Sequence, residues 1–357
     1  MKNALRILVI LLVVVFILLM ARRAPQHISA PREEVWLVMG TVASLRTPAS
    51  EREHFPEMLH IAQKTFEEAN AALSVYNPKS ELSILHTQGY LEPISDVTRM
   101  FLHTTIEMTD RMQGLFDPTL LPVIQLWGFS GGDTPATLPT PEQISHALVR
   151  PTLADLQLTT TAARFPADIG HIDPGGIAKG FALDLAFDSI VQAFPDAHFL
   201  LNLGGEMRAR GEPEPNRTWR IGIQHPFDKE ATIGVIHLPS NLAVATSGHY
   251  ERYFKINETR YAHIIDPSTG WPVQGMAGVT VLAPNATEAD VLSTALFVAG
   301  LERAGPLLET FATSEAILIP DRHPVEIHIT AGMKTWFEPS PAFRDNVRLL
   351  PEASHAP

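Results

Sequence analysis

Strand-like and helix-like segments alternate irregularly along this chain, and that order constrains its architecture more than any other feature. Residues 199–203, 219–224, 232–238 and 278–282 are short apolar runs bounded by turn residues and read as strands, and residues 35–46 alternate enough to form one more. Residues 60–73 place Ile61, Phe66, Ala69 and Leu73 along one side of a helix. Residues 95–112 predict a second helix, capped by Ser95 or Asp96. A short helix over 142–149 follows a proline-rich loop at 134–141. The strongest helical patterns cover 176–193 and 288–300. No strict βαβα rhythm joins these pieces, so the expected class is α+β, with mixed, largely antiparallel sheets flanked by helices. The chain has 357 residues, 45% of them hydrophobic, enough to bury one large two-lobed core or two domains. No internal repeat of solenoid period is present.

Residues 7–21 form an unbroken apolar run between Lys2 and Arg6 on one side and Arg22 and Arg23 on the other. The run lies between a signal-peptide core and a full membrane span of about 17–25 residues. Residues 1–23 therefore read as a signal anchor or a signal peptide. Leu19 stands three places before the cleavage point that Ala21 would offer, and this favours the uncleaved anchor. The expected location is the inner (cytoplasmic) membrane, with the catalytic body on the periplasmic side. Residues 24–34 read as a tether, 35–338 as the body, and 339–357 as a loose, proline-rich tail.

Lys and Arg total 27 against 39 Asp and Glu, a net charge of −12, which argues against a nucleic-acid partner. An acidic chain that binds an anionic ligand needs a metal ion or helix N-termini instead of a basic patch. The absence of cysteine excludes disulfides, thiolate metal sites, cysteine nucleophiles and a lipid anchor on an N-terminal cysteine.

Four segments gather glycines and polar side chains in ways a core does not require. In Asp168-Ile-Gly-His-Ile-Asp-Pro-Gly-Gly-Ile-Ala-Lys-Gly180 two glycines open a helix behind Asp173. Such a start either serves the fold alone or offers backbone N–H groups to an anion. It matches neither a Walker A nor a G-x-G-x-x-G pattern. Asp290 and Thr294 stand at i and i+4, one helix face, where a carboxylate and a hydroxyl suit magnesium; the bland reading is a favourable acid at a helix start. His263 precedes a tight turn from Asp266 to Gly270, and is either an ordinary polar residue or a catalytic one. Ala245-Thr-Ser-Gly-His-Tyr250 is a hydroxyl-rich turn that lines a site or caps an element.

Taken together and in order, these segments resemble the ApbE family of FAD:protein FMN transferases. The likeness runs from about Met39 to Gly300. It includes Met39-Gly40-Thr41, Leu73-Ser74-Val75-Tyr76 with Ser80-Glu81-Leu82-Ser83, and Phe116-Asp117-Pro118-Thr119 leading to Leu126-Trp127-Gly128-Phe129. It continues through Asp173 to Gly180 with Asp184, Asn202-Leu203-Gly204-Gly205, Ala245-Thr246-Ser247-Gly248, His263 to Gly270, and Glu288 to Leu296. Pro174 departs from the family's usual apolar residue but suits a first helical turn, and the lipoprotein cysteine common in bacterial members is absent.

The resemblance implies that FAD, as substrate, is held by Met39, Tyr76, Leu115, Phe116, Asp117, Asp173, Lys179 and Ile265. It further implies Mg2+ on Asp290, Thr294 and the backbone carbonyl of Gly176, with His263 as general base. The implied reaction moves FMN from FAD to a Ser or Thr hydroxyl and releases AMP. The pyrophosphate is expected against Gly175 and Gly176. The implied acceptors are extracytoplasmic domains of membrane redox proteins carrying a D-x-x-[ST]-G-A-[ST] motif. Two other readings remain open: an Mg2+-dependent FAD pyrophosphatase with water as acceptor, and a flavin-binding protein without turnover.

Overall fold

The computed structural model describes residues 31–130, 137–166, 171–257 and 259–350. The apolar run at 7–21 and the tether up to residue 30 lie outside them. The chain enters through a hairpin, β1 (Arg32–Val38) paired antiparallel with β2 (Thr41–Thr47). Met39 and Gly40 both take positive φ, 52° and 71°, as the two-residue hairpin turns that match strand twist require. The single strand expected over 35–46 is therefore two. Its alternation continues across the turn because Met39 is not a residue that announces one. β1 also takes in residues 32–34 of the expected tether.

Three helices follow: α1 (Phe55–Leu73), α2 (Glu81–Gln88) and α3 (Asp96–Arg111). Ser95 caps α3, its Oγ accepting the Thr98 N–H at 3.2 Å. Two short helices, α4 (Leu121–Leu126) and α5 (Pro141–Leu148), precede α6 (Ala178–Ala193). The strands then run β3 (Phe199–Leu203), β4 (Glu206–Arg210), β5 (Trp219–His225), β6 (Asp228–Leu238), β7 (Ala243–Gly248), β8 (Tyr253–Ile256), β9 (Thr259–Ala262) and β10 (Met276–Ala283). After α7 (Ala286–Glu309) come β11 (Glu315–Pro320), β12 (Ile327–Ile329), β13 (Phe337–Pro339) and β14 (Val347–Leu349).

Nine strands form one sheet in the order β1-β2-β3-β4-β7-β10-β11-β12-β14. Its pairs are antiparallel except β12 with β14. The α+β class with largely antiparallel sheets is thus the one observed. β10 is buried along its whole length because both faces of the sheet are covered. Val279 and Val281 face a helical layer that includes Phe66, Phe181 and Leu292. Leu282 faces the second core with Trp219, Ile221 and Ile236, roofed by the antiparallel sheet β13-β6-β5. A third, aromatic cluster joins Trp127, Phe129 and Phe254 beside the separate β8-β9 pair.

The tail expected to be loose from residue 339 is instead part of the second core up to residue 350. Ser340 N–H donates to Ile233 O at 2.9 Å, β14 pairs with β12, and Leu350 N–H donates to Ile329 O at 2.8 Å. Three-residue strands are too short to carry a periodic signal, so composition alone misreads them.

Among the described residues one helix, α7, is long and apolar enough to cross a membrane, yet its first half is buried within the protein. Gly300 breaks it at φ 63°, ψ −169°, the position where the expected helix ended.

Candidate active site

The N-terminal ends of α6 and α7 meet, and their meeting builds the site. Asn285 caps α7 by accepting the Glu288 N–H at 2.8 Å. Asp184 on α6 accepts the N–H groups of Ala286 and Thr287, both at 2.8 Å, and the Thr287 hydroxyl at 2.6 Å. Arg208 Nη1 approaches the same carboxylate at 2.8 Å. Asp184 thus ties one helix to the orphan donors of the next. Gly180 makes the close approach possible. A Cβ there would stand 2.5 Å from Ala286 O, and the Gly180 N–H donates to Asp290 Oδ2 at 3.1 Å.

Asp290 and Thr294 share a face of α7 as their spacing predicts, and Thr294 Oγ1 donates back to Asp290 O at 3.3 Å. Ser247, from the hydroxyl-rich segment ending β7, sits 3.3 Å from Thr294 Oγ1 and 2.8 Å from Ser293 Oγ. Gly176 belongs to the same place: a Cβ on it would lie 3.6 Å from Thr294 Oγ1 and 3.0 Å from the Phe116 ring. The glycine-led segment opens as a turn, and α6 itself begins at Ala178. Two of the backbone donors near this start are already engaged, Gly175 N–H by Asp173 Oδ1 at 3.0 Å and Gly180 N–H by Asp290. The expectation that a pyrophosphate rests on Gly175 as well as Gly176 is narrowed accordingly.

Lys179 extends from the first turn of α6 between carboxylates. It pairs with Glu206 Oε1, at the start of β4, and with Asp290 Oδ1 at 3.7 Å. Burial opposes the Lys179 ammonium, but Asp290 and Glu206 outweigh it and hold its pKa above the ordinary value. Glu206 is pushed up to about 8 by burial and then by Asp290, against the pull of Lys179. Glu251 is raised to about 7, chiefly by burial, with Lys179 lowering it and Asp290 raising it. Its surface is open to solvent, yet surrounding walls crowd it. Glu206 Oε2 is buried without a hydrogen-bond partner. One lysine therefore faces more acid than it neutralises.

No cluster of three His, Asp or Glu side chains is arranged as a metal centre among the described residues. What converges is an oxygen set of one carboxylate, one hydroxyl and the backbone at Gly176. Such a set fits a hard cation that keeps waters and takes oxygens from its substrate. The orphaned Glu206 oxygen marks the same surplus of negative charge.

His263 stands at the end of β9, before a turn in which Gly270 N–H donates to Asp266 O at 2.8 Å. Its Nδ1 lies 3.3 Å from Arg252 O, so Nδ1 carries the proton and Nε2 keeps a free lone pair. Burial, then the Arg252 guanidinium, depress its pKa to about 4, with Lys179 adding to the effect. The imidazole is neutral at physiological pH and is in electrostatic reach of Lys179. Asp173 is raised by burial and lowered by the Gly175 N–H and by Arg252, so one guanidinium influences both groups.

The other expected flavin-holding residues are less tightly gathered. Phe116 and Leu115 are buried, Phe116 against Gly176. Asp117 has its carboxylate engaged by Thr119 and Arg150. Met39 occupies the β1–β2 turn, and its neighbour Thr41 lies beside Gly204, which in turn abuts Lys179. Ile265 is buried in the aromatic cluster. Tyr76 is 73% exposed after α1, an aromatic ring with little of the protein upon it. Glu206, Glu251 and Arg252 were not foreseen. Their only signal was adjacency, Glu206 following the Asn202–Gly205 turn and the other two following Tyr250.

The chain and its fold have counterparts among known proteins. The model of the ApbE family matches residues 39–318. The FAD:protein FMN transferase of Haemophilus influenzae is 34% identical over 263 residues, covering 68% of this chain and 75% of that one. The FAD:protein FMN transferase of Salmonella typhimurium is 27% identical over 91% of this chain and 93% of its own. Among solved structures, the flavin transferase ApbE from Vibrio cholerae superposes with a TM-score of 0.73 at 25% identity, covering 86% of this chain and 99% of that one. The ApbE protein of Thermotoga maritima gives the same TM-score at 27% identity, covering 89% and 99%. With more than three quarters of its length inside that model and with this fold, the chain belongs to the ApbE family.

Proposed function

We propose that the protein is an FAD:protein FMN transferase that uses Mg2+ to move FMN from FAD onto a Ser or Thr hydroxyl of another protein, releasing AMP. The observation that carries this reading is the convergence of Gly176, Asp290 and Thr294 with Lys179, in electrostatic reach of a neutral histidine whose Nε2 is free. Storage of a flavin needs no such oxygen set.

Asp290, Thr294 and the Gly176 carbonyl would hold the ion, which when bound neutralises charge on the pyrophosphate and orients the departing AMP. Lys179 supplies a fixed cation beside the same anion. Phe116, Asp173, Met39, Tyr76 and Ile265 place the flavin and adenine. Nε2 of His263 takes the proton from the acceptor hydroxyl as its oxygen attacks the phosphorus on the FMN side. The new O–P bond forms as the bridging P–O bond to AMP breaks, and the proton passes from the imidazole to solvent. The Nδ1–H to Arg252 O bond keeps the ring oriented throughout. The flavin ring travels as cargo. Residues 7–21 would tether this body to the inner membrane on its periplasmic side, where acceptor domains with a D-x-x-[ST]-G-A-[ST] motif are presented.

The test supplies FAD and Mg2+ to the purified protein with and without an acceptor domain, and reads AMP release and in-gel flavin fluorescence. AMP together with a fluorescent acceptor is the expected result. AMP without labelling identifies a pyrophosphatase. FAD binding without AMP identifies a carrier.

A further inference from the structure

An open cavity of about 360 Å³ is lined by two neighbours of His263, Phe129 and Arg252, and by none of the expected FAD-holding residues. Glu251 shares the lining with them. The Phe129 ring lies 6.5 Å from that of His263, and Arg252 holds His263 Nδ1 through its carbonyl while its guanidinium donates to Phe129 O. Tyr250 and Tyr253 line it just before and at the start of β8, and Lys229 reaches it from the start of β6. Lys229 is exposed and joins no ion pair among the described residues. β8 pairs only with β9, so its other edge is unpaired among the described strands.

We propose that this cavity is the docking groove for the acceptor protein, and that it takes an extended, acidic segment carrying the hydroxyl to be modified. The inference rests on the transferase reading. A hydroxyl that gives its proton to His263 Nε2 must come up to the ring, and this open cavity is walled by two residues that contact the ring. An unpaired strand edge receives an extended chain by main-chain hydrogen bonds. Lys229 and Arg252 outnumber the one carboxylate of the lining, Glu251, so the cavity selects carboxylates in the incoming segment and rejects cations. Lys229 is a specificity residue that touches neither FAD nor the reacting atoms.

The experiment compares the full-length protein with Lys229→Glu at low salt, where rim charges are least screened. The probes are two synthetic peptides of one sequence around a central threonine, one with flanking aspartates and one with lysines. The wild-type protein should transfer FMN to the aspartate peptide with kcat/KM about tenfold above the lysine peptide, and Lys229→Glu should reverse that preference. FAD affinity and AMP release without peptide should be unchanged, since Lys229 is outside the cleavage machinery. Absence of a preference, a preference that Lys229→Glu does not move, or AMP release with neither peptide labelled overturns the groove. A fall in FAD affinity in Lys229→Glu also overturns it, by assigning the cavity to the flavin. A wild-type protein that never cleaves FAD fails the transferase reading itself, and this inference falls with it.

Discussion

Replacing Gly180 by alanine tests whether the contact between α6 and α7 holds Asp290 in place. Two effects oppose each other. Alanine gains up to about 1 kcal/mol over glycine in a helix interior, and less in a first turn. Against this, the new Cβ would lie 2.5 Å from Ala286 O, 2.8 Å from Thr287 Cα and 2.9 Å from Ala286 C, all backbone atoms of the facing helix start. Real Cβ contacts do not fall below 3.0 Å, so going from 2.5 to 3.0 Å moves the helices apart by about 0.5 Å. The same shift lengthens the 3.1 Å bond from Gly180 N–H to Asp290 Oδ2 to roughly 3.6 Å, which is no longer a hydrogen bond. Overpacking of this kind costs about 1–3 kcal/mol, and a hydrogen bond to a charged group contributes about 1.5–3. The net expectation is destabilisation by about 2–3 kcal/mol, a fall in Tm of roughly 3–4 °C for a protein of this size. FMN transfer should fall as well, and excess Mg2+ should restore part of it, because Asp290 is displaced rather than removed. Thermal melts and AMP-release assays at two Mg2+ concentrations read both effects. A variant at least as stable as the wild type with full activity would refute the argument that this glycine sets the site.

Asp290→Ala should abolish turnover at ordinary Mg2+ with little change in Tm, since losing the Gly180 bond is offset by relief of the crowding on Glu206; transfer at the wild-type rate in the presence of chelator would remove the metal assignment. Tyr76→Ala should weaken FAD binding by roughly 1–2 kcal/mol if the exposed ring stacks on the ligand, and an unchanged dissociation constant by fluorescence titration would take Tyr76 out of the site. His263→Ala should slow transfer by about 10²–10⁴-fold with FAD affinity nearly unaffected. A base must be unprotonated to act and His263 is depressed to about 4, so the acidic limb of the wild-type kcat/KM profile should fall well below the ordinary imidazole value of about 6.5 and disappear in the variant. A limb that stays at 6.5, or one that survives in His263→Ala, points to a different proton acceptor.

Local sequence determined those features whose cause is local. Periodicity placed the long helices, because an apolar stripe recurs on one face wherever a helix lies on a core. The hydroxyl of Ser95 marked the start of α3, and the spacing of Asp290 and Thr294 put them on one face of α7 before any fold was known. The α+β class followed from the order of segments alone. Only the tertiary structure decided which of these meet. Gly180 and Asp290 are 110 positions apart and touch because two helix starts pack without an intervening Cβ. Glu206 and Glu251 enter the site through sheet order and a turn geometry that no short pattern encodes. Asp117, expected at the flavin, has its carboxylate engaged by Arg150, a partner distant in sequence. The same holds for the β1–β2 turn at Met39 and the three-residue strands of the C-terminal segment. Burial on a face is written into spacing, whereas the coincidence of distant charges depends on packing, which spacing does not contain.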